Sequence, residues 1–237
     1  MSLFCDETST IGRRRMDQSD AILDDRFLLG KGAHRSTYLH PDDASKLIKI
    51  VHEGGKQRAS NRRRYWSMGR RLDMDGNERE LRSIRLLQSV DSYDARFFPE
   101  FFGSIDTNLG LGLVFERFGS GPGEGIYELK NSAQRNSAFK LMSKEQTLEQ
   151  FEELLGLFMK IGIPSVGLAV ENVGILDRPG QRPQLVCYDL KFLEDRGLFP
   201  LADWFPLLHQ RRVKRILKRR SNKFSAKIGG DMPPAGQ

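Results

Sequence analysis

Cysteine is nearly missing from this chain: 237 residues contain only Cys5 and Cys187. Two thiols, one in a polar N-terminal stretch and one in an apolar run, exclude a disulfide framework and point to a reducing compartment, the cytoplasm. Histidine is also sparse. His34, His40, His52 and His209 have no metal-ligand spacing to each other or to the cysteines, which argues against zinc chemistry. No run reaches the roughly 18 to 20 apolar residues of a spanning helix. The opening residues Met1 to Glu7 lack a basic stretch followed by an apolar one, so no secretory leader is expected. At 38% hydrophobic and 29% charged residues the composition is that of a globular chain with a core of its own.

What the chain has in excess is positive charge, and it is concentrated. The formal net charge is +7. Residues 56–71 carry seven Lys or Arg and no acid, and residues 211–223 carry eight and no acid, so everything else sums to −8. The preference for an anionic partner therefore belongs to two segments rather than to the body.

Periodicity orders the rest. Residues 1–25 are polar and aperiodic, which predicts a mobile tail. Phe27 to Leu29 leads into Gly30-Lys31-Gly32, an extended stretch resumes at Ser36 to His40, and Pro41-Asp42-Asp43 marks a turn. Residues 44–51 form a β-branched strand with Lys49 near its end. A basic insertion over 52–76 precedes a helix from about Asn77, with Leu81, Ile84 and Leu87 as its apolar stripe and Glu78 and Glu80 in its first turn. Two strands, 101–107 and 111–118, surround an Asn108–Gly110 turn. The cluster Gly119-Ser-Gly-Pro-Gly-Glu-Gly125 then marks a lobe boundary. Ser143-Lys-Glu-Gln146 has the form of a capping box ahead of a helix that closes at Gly162. Short strands follow near Asn172–Leu176 and Leu185–Tyr188, and residues 223–237 are expected to be a disordered tail.

This order resembles the small lobe and hinge of protein-kinase-like folds. The resemblance implies an α+β, bilobal molecule: an N-lobe over 26–118 built from an antiparallel β-sheet plus one helix, and a truncated, mainly helical C-lobe over 119–222. It implies ATP and Mg as cofactors, held between the lobes. Gly30 and Gly32 would let backbone N–H groups close over phosphates. Lys49 would meet the α/β-phosphates and Glu80 would hold Lys49, with Glu78 as the alternative. The hinge near Glu116 and Phe118 would border the nucleotide, and Asn172 and Asp189 would be the magnesium ligands.

At finer grain the chain resembles the bacterial PhoP-regulatory-network proteins of the YrbL type, themselves kinase-like. The residues responsible are Leu29-Gly-Lys-Gly-Ala-His-Arg35, Tyr38-x-His-Pro41, Asp42-Asp-Ala44 with Ile48-Lys-Ile-Val51, Arg79-Glu-Leu81, Pro99 with Gly103, Glu171-Asn172, Val186-Cys-x-Asp189 and Leu201-Ala-Asp-Trp204. The likeness spans roughly residues 27–222. It implies a bacterial cytoplasmic protein tied to a two-component regulon, without a defined activity.

Three departures from the kinase pattern bear on chemistry. Gly167 stands where an active kinase has its catalytic Asp, and glycine cannot orient or deprotonate a hydroxyl. Ser165, Glu171 and Asp177 are the substitutes within reach in sequence, and the sequence favours none of them. Arg35 stands where the third loop glycine belongs, and only 48 residues follow Asp189, too few for a full peptide-docking lobe.

The expected function is a divergent kinase-like ATP/Mg-binding protein with weak or altered phosphotransferase activity. One alternative is an inactive pseudokinase scaffold for a protein partner. The other is a nucleic-acid or anionic-membrane binder acting through Arg62, Arg63 and Arg64 beside Tyr65-Trp66, and through Arg211, Arg212, Lys214, Arg215, Lys218, Arg219 and Arg220. On a helix that last run places Val213, Ile216 and Leu217 on one stripe, which would dock on the C-lobe and leave the charges in water.

Overall fold

Alternation along the strands decides which side chains face which core. The computed structural model of the protein describes residues 21–32, 34–52, 76–89, 94–162, 168–188 and 206–229. Strands β1 (Leu28–Lys31), β2 (Arg35–Leu39), β3 (Lys46–Val51), β4 (Phe101–Ile105) and β5 (Gly112–Glu116) form one antiparallel sheet in the order β1-β2-β3-β5-β4. Ile48 and Ile50 of β3 join Val114 of β5 and Ile105 of β4 in a small core on one face. Leu47, Leu113 and Phe115 take the other face and merge with the main core, and Lys49 pairs with Leu113 in the register. A period of two thus carries Lys49 to the side that receives the helix. At Gly112 a Cβ would lie 2.4 Å from Ile48 Cγ2 and 2.8 Å from Ile50 Cδ1, so only glycine lets these strands pack.

Helix α1 (Gly76–Gln88) lies against this face. Ile84 and Leu87 are buried and Leu81 is partly buried, as the stripe predicted, and Asn77, Glu80 and Ser83 are buried with them. The predicted strands at 101–107 and 111–118 are β4 and β5, each a little shorter.

Two predicted boundaries are corrected. The N-terminal tail does not extend to residue 25. Ala21 and Leu23 are buried in the small core, Ala21 bridges to Thr107, and the Asn108 amide donates to Leu23 O and accepts from Leu23 N–H at 3.0 and 2.8 Å. A strap of a few residues carries too little sequence to show a period. At the other end, residues 223–229 are helical, because Phe224 and Ile228 extend the buried stripe past the charge run.

Beyond the glycine cluster, β6 (Gly125–Glu128), β7 (Val173–Asp177) and β8 (Gln184–Cys187) form a second antiparallel sheet. Helices α2 (Ser132–Leu141), α3 (Lys144–Ile161) and α4 (Pro206–Gly229) complete the C-lobe. The capping box is present: Ser143 Oγ accepts from Gln146 N–H, the Gln146 amide accepts from Ser143 N–H, and Gly162 ends the helix at φ +75°. Among the described residues no helix is long and apolar enough to cross a membrane.

One buried group makes stability depend on pH. His40, 2% exposed, accepts from Asp42 N–H at Nδ1, and its Nε2 has no hydrogen-bond partner. Burial holds its pKa below the usual 6.5, against a smaller upward pull from Asp42. The unfolded chain then binds the proton more readily than the native one, so stability falls as pH drops below about 7. The slope this group contributes is at most about 1.4 kcal/mol per pH unit. Urea unfolding at a series of pH values should show a shallower acid-side fall in His40→Gln, and an unchanged slope would remove His40 as its source.

Candidate functional site between the lobes

The site starts from one buried lysine. Lys49, 7% exposed on β3, donates from Nζ to Glu80 Oε1 at 2.6 Å and to the Tyr188 carbonyl at 2.8 Å, and sits 4.3 Å from the centre of the Phe115 ring. The helix partner is thus Glu80, while Glu78 is exposed. Glu80 is 1% exposed, and a carboxylate taken that far from water needs charged partners.

It has two. Its second oxygen accepts from the Arg35 guanidinium, which also reaches Gly76 O at 3.4 Å and Asn77 Oδ1 at 3.5 Å. Asn77 Nδ2 donates to Lys49 O at 3.0 Å and Leu111 O at 3.2 Å, which pins the start of α1 to β3 and to the edge of β5. Arg35 therefore ties the glycine hairpin to the same carboxylate that positions Lys49. Sequence reading noted Arg35 only as a missing glycine. The signal was available in the pleat: Thr37 pairs with Lys49, so Arg35, two residues earlier, shares its face.

The hairpin is itself closed. Gly32 N–H donates to Arg35 O at 2.8 Å, and His52 Nε2 lies 3.0 Å from Gly32 O. That N–H is committed within the hairpin and is not presented to a phosphate. A Cβ at Gly30 would meet nothing within 4 Å, so packing within the protein does not demand a glycine there.

From the C-lobe, Asn172 ends a 3-10 turn (Val170–Asn172), and its carbonyl accepts from Tyr188 N–H at 3.1 Å. One series of hydrogen bonds then runs from Asn172 through Tyr188, Lys49 and Glu80 to Arg35, joining both lobes. Asp189, the residue after Tyr188, lies outside the described residues. So do Ser165, Gly167, Tyr65, Trp66 and Arg62 to Arg64. Among the described residues no group of three His, Cys, Asp or Glu is arranged to hold a metal ion.

The hinge carries a second ion-pair group. The Glu116 carboxylate accepts from Glu100 N–H and pairs with Arg178 of the β7–β8 turn, whose Nε also meets Glu124 at 3.0 Å. The Arg178 guanidinium lies 5.9 Å from the Phe118 ring centre. Glu116 N–H donates to Glu100 O at 2.9 Å. Both polar handles of Glu116 named here serve the hinge itself, and Arg178 clips the two lobes together. Of the substitutes for the missing catalytic Asp, Glu171 pairs with Lys227 of α4, whose hydrogen bond keeps its pKa low, and Asp177 is half-buried at the end of β7.

A five-stranded sheet with one helix, a hinge and a helical second lobe, joined through a buried lysine–glutamate pair, defines a protein-kinase-like fold. The crystal structure of Rad53 1-466 in complex with AMP-PNP matches it with a TM-score of 0.54 at 15% identity, over 89% of this chain and 48% of that one. The PknI kinase domain of Mycobacterium tuberculosis gives 0.47 at 15% identity, over 87% and 76%. The family model described as PhoP regulatory network protein YrbL matches residues 21–225, and the chain belongs to that family. Uncharacterized protein YrbL of Escherichia coli (strain K12) is 25% identical over 206 residues, 83% of this chain and 84% of the relative, and that of Shigella flexneri gives the same figures.

Proposed function

We propose that the chain is a bacterial cytoplasmic regulator that binds ATP with Mg between its lobes and transfers phosphate weakly or not at all. The observation that carries this reading is the buried Lys49–Glu80 pair at 2.6 Å, with Lys49 also bonded to the backbone immediately before Asp189. A lysine so held is a fixed positive charge, suited to an α/β-phosphate. The residues present fit the cofactor in part: Lys49 would meet phosphate, Asn172 and Asp189 would hold Mg²⁺, and the bound metal would neutralise phosphate charge. Gly32 would contribute through loop shape rather than through its N–H. The Glu116 carboxylate, engaged by Arg178, would shape the hinge without touching the nucleotide.

Thermal unfolding with ATP and Mg²⁺ tests this. At a ligand concentration of about 100 Kd the stabilisation is about 2.7 kcal/mol. For a chain of this size that is a rise in Tm of roughly 5 to 10 °C. Lys49→Ala and Asp189→Asn should abolish the rise. No shift in the wild-type chain, with either nucleotide or metal, would reject ATP binding. A pseudokinase scaffold for a protein partner is the second reading, favoured by Gly167. Turnover that remains at background while the Tm shift is present supports binding without transfer.

A further inference from the structure

Helix α4 spans 24 residues, about 36 Å at the usual rise, with nine Lys or Arg and no Asp or Glu. Val213, Leu217, Phe224 and Ile228 are buried in the main core, and the Phe224 ring stacks on Phe151 of α3. The helix is thus laid along the lobe by one side. Leu207, Leu208, Arg211, Arg215, Lys218 and Arg219 are all exposed, and at 100° per residue they share an arc centred roughly 150° away from the buried stripe. Arg211, Arg215, Lys218 and Arg219 form no ion pair among the described residues, whereas Lys227, further round the helix, pairs with Glu171.

From this face we infer that α4 docks the protein on an anionic phospholipid bilayer. Four cations in line on a rib fixed to the surface of the lobe match a plane of phosphate headgroups, and each cation near such a surface contributes roughly fivefold in partitioning. The two leucines select lipid over nucleic acid. Leu207 is 74% and Leu208 52% exposed at the start of the helix, on the same arc as the cations. The boundary between headgroups and acyl chains buries such side chains, and a phosphate backbone offers them nothing. Nucleotide binding is not needed for this docking.

Flotation of the full chain with vesicles tests the inference. Phosphatidylcholine vesicles containing about one third phosphatidylglycerol should bind it, phosphatidylcholine alone should not, and binding should fall at least about tenfold as salt rises from low to above physiological levels. The Arg211→Glu/Arg215→Glu/Lys218→Glu variant should lose about a hundredfold or more. Leu207→Ser/Leu208→Ser should weaken binding several-fold with the salt dependence unchanged. All five substitutions are at exposed positions, and an unchanged Tm confirms that the fold is intact. Absence of binding to the anionic vesicles at low salt overturns the inference. Wild-type binding by the charge-reversal variant also overturns it, because attachment would then lie elsewhere in the chain. So does duplex DNA bound more tightly than the vesicles and with no sensitivity to the leucine pair.

Discussion

Glu80→Ala should destabilise the protein by about 3–5 kcal/mol, a large part of the roughly 5–15 kcal/mol available to a domain. The side chains of Lys49 and Arg35 are each 9% exposed, and both bind the Glu80 carboxylate, one at each oxygen. Removing that carboxylate leaves two cations in a site closed to water, and the cost lies chiefly in their lost compensation. Glu80→Gln keeps the shape but offers one acceptor oxygen in place of two, so it should fall between the wild type and Glu80→Ala. An apolar exchange of all three, Arg35→Met/Lys49→Met/Glu80→Leu, should recover much of the stability while abolishing any nucleotide response, since packed apolar groups often replace buried ions at little cost. Urea midpoints with slopes compared across the series provide the readout. A Glu80→Ala loss below about 1 kcal/mol would mean that water already screens this carboxylate in solution, and the three-residue hub would not be what joins the hairpin to α1.

That hub shows what the sequence disclosed and what it hid. Lys49 and Glu80 were legible because each sits in a strong period, a β-branched strand and an i, i+3 stripe, and because the kinase-like order assigns them to one another. Arg35 was hidden by the same comparison, which presents it as a loop glycine lost; its role depends on the β2–β3 register, and no local pattern states that register. The Tyr188 contact is made by a backbone carbonyl, which side-chain chemistry cannot signal. Arg178 reaches the hinge from a turn some sixty residues away in sequence, so its partners Glu116 and Glu124 follow only from the topology. Whole elements escaped for a related reason. In α2 only Ala138 is buried, and β6 is half-buried throughout beside the glycine cluster, so neither shows an apolar period. The capping box of α3 was legible to the residue because its two bonds are local.

The C-terminal helix was legible up to the end of its charge run and no further, and Phe224 measures what lies beyond. Its ring stacks on Phe151 with centroids 3.8 Å apart and planes within 4°, and both residues are at most 2% exposed. Phe224→Ala should cost about 3–5 kcal/mol, the sum of lost transfer energy and a cavity between α3 and α4. Phe151→Ala should cost a similar amount. The double variant should fall short of the sum, since the pair carries about 0.5–1.5 kcal/mol beyond its buried area and shares one cavity. Amide exchange along α4 separates undocking from simple loosening: if Phe224 anchors the helix, protection should fall across residues 217–229 before it falls in α3. A chain ending at Asn222 lacks both Phe224 and Ile228 and should be at least as unstable as Phe224→Ala. Full stability in that shortened chain would mean that Val213 and Leu217 alone hold α4 on the lobe. The stripe argues otherwise, because the spacing 213, 217, 224, 228 keeps one face of the helix in the core for four turns, and two of its four apolar side chains lie past residue 222.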